Sequence, residues 1–288
     1  MFGVASMTSE LRRVALRKPS AAMLDADAAV WHYGPTFDRN KVLDQHAAFS
    51  ALVEGHGTEV LWMEDHGSEI ADAVFTYDAS LMTPEGGVLM NPGKPLRKGE
   101  QELHRTFYEA NGIAVFGEIT GDGTMEAGDT CWLDEKTLAI GRGFRTNQAG
   151  IEQMTEIMAK QGVTVHAFDL PVYQGAAACL HLMSLVSPVD TRTAVIHETL
   201  FPVGLYQLMQ SMGYQLINLP ADEYEASATL SGNILALAPG VCIMIDGFPH
   251  TRAAIESAGV QVSVFNGEAL CIGCEGGPTC LSRPILRD

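Results

Sequence analysis

The sequence predicts an α/β fold in which several similar units repeat around one centre. Three observations carry this expectation. Short β-prone runs alternate with amphipathic helical stretches, in the rhythm strand, strand, helix, strand, whereas a doubly wound parallel sheet would show strict βα alternation. Units of this pattern recur with weak identity between them, the mark of a radial repeat. No Pro/Gly/Ser-rich linker or low-complexity stretch divides the 288 residues, so one domain over 1–288 is expected. An apolar fraction of 47% with 18% charged residues gives that domain a sizeable core.

In chain order, strands are predicted over 59–63, 73–77, 87–91, 113–118, 137–141 and 163–168, then 193–197, 215–219, 241–246 and 260–265. Helices are predicted over 41–55, 98–111, 147–161, 204–212 and 250–257. The third has Ile151, Met154, Ile157 and Met158 on one face, Asn147 as its cap and Gly162 just past its end.

Composition excludes several function classes. A net charge of −17 argues against nucleic-acid binding, which needs a basic surface. The same charge can concentrate small cations, although a surface charged for solubility accounts for it equally well. No apolar run approaches the roughly 20 residues that span a bilayer, so no membrane partner is expected. Arg12, Arg13, Arg17 and Lys18 interrupt any signal-like stretch, and a cytoplasmic location is the default expectation. Neither GxGxxG after a first strand nor GxxxxGK[ST] occurs, which removes the main support for a nucleotide fold.

Six cysteines are present, and a cytosolic chain of this size is expected to keep them reduced. Cys131, Cys179 and Cys242 lie in apolar segments and read as small core residues. Cys271 and Cys274 form a CxxC with no second pair to complete a zinc site.

The residues that carry chemistry lie in short polar interruptions. Phe75-Thr76-Tyr77-Asp78 reads as a strand end that places an aspartate after two aromatics. A loop with two prolines leads through Arg97 into a helix, and Gly121–Thr130 packs Asp122, Glu126 and Asp129 among glycines without the ligand order of a calcium loop. Gly141-Arg142-Gly143-Phe144-Arg145-Thr146-Asn147 is a strand-to-helix turn with two arginines. His181 sits in an apolar run, where a histidine is more often core than catalyst. Gly276-Gly277-Pro278-Thr279-Cys280 delivers a thiol, whose thiolate is a competent nucleophile near neutral pH. The acid in Val165-His166-Ala167-Phe168-Asp169 and its histidine read as polar residues at a strand end.

Each signal is weak alone. In order, Asp78, Arg97 nineteen residues on, Glu-x-Gly-Asp at Glu126, Arg-Thr-Asn at Arg145, His-Leu at His181 and Gly-Gly-x-x-Cys at Cys280 resemble the guanidine-modifying superfamily. That superfamily comprises dimethylargininases, arginine deiminases and amidinotransferases. The resemblance runs from about Glu59 to the C-terminus, and the compact chain is most similar to dimethylargininases. It implies a five-bladed α/β propeller (pentein) of ββαβ units, a small cationic guanidino substrate, no cofactor and no metal. Homodimers are a family-level expectation.

The resemblance also implies roles. Cys280 would attack the guanidinium carbon, His181 would serve as general acid and then base, and Glu126 would bind the guanidinium and orient His181. Asp78 would hold the other N–H groups, Arg97 and Arg145 would clamp an α-carboxylate, and Phe75 would wall the pocket. The implied reaction hydrolyses an N-methylated arginine-like substrate to citrulline and an amine. Deiminase-like hydrolysis, or transfer to an amine acceptor, is the alternative. Met183 stands where deiminases and amidinotransferases have a second aspartate, which suits an N-alkylated nitrogen if the side chain points inward. Tyr77 stands where dimethylargininases often carry an acid, and the Gly-Gly-Pro lead-in is more deiminase-like. A non-catalytic binder of arginine-like ligands would have no need of the thiol.

Overall fold

Short β-prone runs, with helices between them, assemble as five three-stranded sheets. The computed structural model describes residues 1–176, 178 and 180–288. Four sheets are contiguous in sequence: β3 (Ser80–Thr83), β4 (Gly86–Leu89) and β5 (Val115–Glu118); β6 (Thr130–Asp134), β7 (Thr137–Arg142) and β8 (Thr164–Asp169). The others are β9 (Val186–Asp190), β10 (Thr193–Ile196) and β11 (Gln215–Asn218), then β12 (Leu235–Ala238), β13 (Val241–Ile245) and β14 (Gln261–Phe265).

In each, the first two strands form an antiparallel hairpin and the third pairs parallel to the second. A parallel pair needs a crossover, and helices supply it: α2 (Glu100–Ala110), α3 (Gln148–Ala159), α4 (Val203–Ser211) and α5 (Pro249–Ser257). The remaining sheet joins the chain ends. β1 (Leu11–Arg17) runs parallel to β2 (Glu59–Met63) across α1 (Arg39–Gly55) and antiparallel to β15 (Arg283–Arg287). The architecture is the five-bladed α/β propeller.

Burial orders the strands radially. The hairpin strands β3 and β4 are buried along their whole length, whereas the third strands β8 and β11 are exposed or half-buried throughout. The apolar face of α3 buries Ile151, Met154, Ile157 and Met158 as its spacing requires. Asn147 Oδ1 accepts the Gly150 N–H at 2.8 Å, and Gly162 beyond the helix end takes φ +67. Among the described residues, no helix is long and apolar enough to cross a membrane.

Two expectations about elements need correction. The run 73–77 is not a strand: a 3₁₀ turn spans Ala71–Val74 and the chain turns again before β3. Its polar groups bond outward instead of into a ladder. Thr76 Oγ1 donates to the carbonyls of Ala15 and Leu281, and the Tyr77 N–H donates to that of Cys280. Second, the inner strands β3, β6, β9, β12 and β15, together with β1 in the middle of its sheet, lie outside every predicted strand. They are short and mostly buried on both faces, so they show no clean alternation.

The blades share a feature that positions chemistry. A 3₁₀ turn shortly precedes the inner strand of each: Ala71–Val74, Ala127–Asp129, Leu182–Ser184, Leu230–Gly232 and Ile272–Cys274. The residue entering each inner strand from these loops is Asp78, Glu126, His181, Asn233 or Cys280. Because the second strand is antiparallel to the first, loops leaving it return to the same end of the sheet. Arg97 follows β4 and Arg145 follows β7 in this way.

Candidate active site

The loop before β15 is shaped by two close approaches. A Cβ on Gly276 would lie 2.3 Å from Phe75 Cε1, and one on Gly277 would lie 2.5 Å from Asn233 Oδ1. Only glycines fit. Beyond them, the Thr279 N–H donates to Asn233 Oδ1 at 2.9 Å and Thr279 Oγ1 donates to the Ile234 carbonyl at 2.9 Å. Asn233 Nδ2 then donates to Cys280 Sγ at 3.3 Å. Cys280 is half-buried, while Cys131, Cys242, Cys271 and Cys274 are buried. Burial pushes the Cys131 and Cys242 thiols up to about 12 and those of Cys271 and Cys274 higher still. Cys179 lies outside the described residues.

Glu126 is completely buried and meets three neighbours. Its Oε2 lies 2.8 Å from His181 Nε2, Arg145 Nη1 donates to both oxygens at 3.0 and 3.2 Å, and the Lys94 N–H donates to Oε1 at 2.9 Å. Burial alone would raise its carboxyl. The hydrogen bond and charge of His181, with the charges of Arg145 and Arg97, outweigh that and hold it well below the usual carboxylate range. The other ring nitrogen of His181, Nδ1, is 4.0 Å from Asp78 Oδ1. Asp78 Oδ1 accepts the Gly128 N–H at 2.9 Å, and Oδ2 accepts from Arg97 Nη1.

Asp129 supports this pair from behind. Its Oδ1 accepts the N–H of Leu182, next to His181, at 2.9 Å, and its Oδ2 accepts from Thr146 Oγ1 at 2.6 Å. Burial raises its carboxyl to about 6 against the pull of His181 and those hydrogen bonds.

The two arginines read as a carboxylate clamp are placed differently. Arg145 is partly exposed beside Glu126 and lines the cavity that holds Cys280 and Asp78. Arg97 is buried, with Nε donating to Glu100 at 2.8 and 3.0 Å, Nη1 to Asp78, and Nη2 to the Phe75 carbonyl at 3.1 Å. Its guanidinium therefore faces protein acceptors where the sequence reading has it face a substrate. Burial pushes Glu100 up to about 7 even against Arg97.

Cavities lie on two sides of Cys280 and His181. One is charged, with Asp72, Asp78, Lys94, Arg97 and Arg145 in its wall and Phe75 beside them. The other is more apolar and is lined by Tyr77, Met183, Leu230 and Tyr173, with Asn233 and Gly128. Met183 and Tyr77 both line that cavity, while the Tyr77 ring stacks on Arg283 at 4.0 Å and its hydroxyl lies 3.8 Å from Met7 Sδ. Asp78, Glu126 and His181 also form a group with ligand atoms within 4.8 Å of one another. Arg97 and Arg145 already supply positive charge to its carboxylates.

The sequence reading gives no site role to Asn233, Gly128, Asp129 or Lys94, although Gly128 and Asp129 belong to the Glu-x-Gly-Asp run at Glu126. Position could have found Asn233, since it enters its inner strand as the other four site residues enter theirs. The motif marks Gly128, but the groups that crowd it, His181 and Asp78, come from distant loops. The pair Arg142–Asp169, by contrast, lies on the surface away from the thiol. His166 lies in the rim strand β8.

Comparisons with known proteins agree with the fold. A family model described as arginine deiminase matches residues 69–205 and 197–287. The N(G),N(G)-dimethylarginine dimethylaminohydrolase of Pseudomonas aeruginosa is 25% identical over 273 residues, covering 94% of this chain and 98% of that protein. Its solved structure in complex with citrulline superposes with a TM-score of 0.77 at 22% identity, over 96% of this chain and 100% of that one. SxtG, an amidinotransferase from Microseira wollei, superposes with a TM-score of 0.79 at 14% identity, over 99% and 97% of the two chains.

Proposed function

The chain belongs to the arginine deiminase family, and from that premise we propose that it hydrolyses an N-methylated, arginine-like guanidine through a covalent bond to Cys280. A guanidinium is a poor electrophile because its charge is delocalised. Its hydrolysis needs a strong nucleophile, anions on its N–H edges and an acid for the departing amine. The observation that carries the reading is convergence: Asp78, His181 and Cys280 enter the inner strands of three different blades and line two adjoining cavities, and Glu126, entering a fourth, is buried against His181.

In the proposed cycle, Cys280 Sγ bonds to the central guanidino carbon while Asp78 accepts from the substrate N–H groups. The carbon–nitrogen bond to the methylated amine breaks, and His181 gives that nitrogen its proton. Water then adds to the amidino-thioether and loses a proton to His181. Expulsion of the thiolate leaves a ureido product. Glu126, held anionic, stabilises the protonated imidazole. Asn233, donating to Sγ, suits a thiolate. We assign the substrate carboxylate to Arg145. Arg97 would have to release Asp78 or Glu100 to join it, so its principal role in this proposal is to hold Asp78 in place.

Met183 in the cavity beside Cys280 and His181 favours a leaving nitrogen that carries methyl groups over one that needs an acid. The test is incubation with arginine, monomethylarginine, dimethylarginine and related guanidines, with assays for citrulline, ornithine and released amines. Preferred release of methylated amines is expected. Preferred release of ammonia would make the enzyme deiminase-like, and turnover only with an added amine would make it an amidinotransferase.

A further inference from the structure

Glu275, on the loop that delivers Cys280, has no part in the reaction described above. Three observations set it apart. It lines both cavities beside Cys280, so its side chain borders the space that a substrate must cross. Its backbone is left-handed, with φ 59 and ψ 33, a region that a glutamate enters only at a cost and that glycine or asparagine fills more readily. The third is the state of the charges around it.

The other acids of the charged cavity, and the buried Glu126 behind it, are engaged. Asp78 holds Arg97 and the Gly128 N–H, and Glu126 holds His181, Arg145 and the Lys94 N–H. Asp72 accepts from Tyr33 Oη at 3.0 Å on one oxygen and from Lys94 Nζ at 2.6 Å on the other. Among the described residues, no hydrogen bond or ion pair reaches the Glu275 carboxylate; Lys94, His32 and Arg145 act on it only through space. It is exposed at the mouth, so a ligand can reach it.

We propose that Glu275 determines specificity at the end of the substrate away from the guanidinium, by accepting hydrogen bonds from a primary ammonium there. This deepens the guanidine reading and rests on it. With Arg145 taking a carboxylate, Glu275 completes recognition of an amino acid head group. A guanidino acid without the amine loses that contact.

The test is calorimetric binding to Cys280→Ser protein, with and without Glu275→Gln, of two ligands that differ only in the amine: arginine and 5-guanidinopentanoic acid. A charge-assisted hydrogen bond predicts a preference for arginine of roughly tenfold or more in the Cys280→Ser parent. That preference should fall to within about twofold once Glu275→Gln is added, with affinity for the desamino ligand unchanged. Equal affinity of the parent for both ligands, or a preference that survives Glu275→Gln, overturns the assignment while leaving the guanidine reading intact. Failure of both ligands to bind overturns the guanidine reading, and the assignment falls with it.

Discussion

A single methyl group added at Gly128 should separate folding from turnover. The Gly128 backbone is outside the left-handed region, so alanine meets no conformational objection. Its Cβ, however, would lie 2.4 Å from His181 Nδ1, 2.8 Å from His181 Cγ and 2.7 Å from Asp78 Oδ1. Ordinary contact requires about 3.5 Å, so the imidazole must retreat by about 1 Å. Neither group is free to do so without loss. His181 is held at 2.8 Å by Glu126, and Asp78 is held by Arg97. Misplacing a reacting group by that distance costs about a hundredfold in rate, whereas overpacking of this kind costs about 1–3 kcal/mol in stability. The assay is kcat and KM on a guanidine that the wild-type enzyme turns over, alongside a thermal melt. Gly128→Ala should melt cooperatively at a modestly lower temperature and lose about two orders of magnitude in kcat. A kcat within about threefold of wild type would refute the placement of His181 and Asp78 as reacting groups.

Three further outcomes follow from the same geometry. Glu126→Gln leaves Arg145 without its buried anion and should cost about 3–5 kcal/mol in unfolding free energy as well as most of the turnover; unchanged melting would contradict the buried pair. Met183→Asp should shift the kcat/KM ratio for arginine over dimethylarginine at least about tenfold toward arginine, and an unchanged ratio would remove Met183 from the specificity argument. Asp129 titrates higher in the folded protein, at about 6, than its ordinary value of 3.8, so the stability it contributes is present at low pH and is lost as pH rises through that range. Urea unfolding should therefore show the wild type losing on the order of 3 kcal/mol relative to Asp129→Asn between about pH 4 and pH 7, and parallel curves would contradict the raised carboxyl.

The outer half of each blade was legible because it obeys local rules. The α3 face of Ile151, Met154, Ile157 and Met158, its Asn147 cap and the β-branched rim strands all show in short windows of sequence. The inner strands do not. Leu235–Ala238 has little intrinsic β preference and β9 contains Pro188, so both depend on neighbours on both faces to become strands. The site divides along the same line. Cys280, His181, Glu126 and Asp78 stand out as polar residues among apolar or glycine-rich ones, whereas Gly128 and Asn233 acquire significance only when remote loops converge. Arg97 was legible as a site residue, but its partner was not: Glu100, three residues on, competes with any substrate for its guanidinium.

The central claim is that Cys280 bonds to the guanidino carbon, and intact-protein mass spectrometry tests it most directly. Enzyme quenched in acid during turnover should carry an added mass equal to the substrate less its departing amine, mapped to Cys280, and Cys280→Ser should remain folded and inactive. Full turnover by Cys280→Ser, or an adduct mapped to another cysteine, would contradict it.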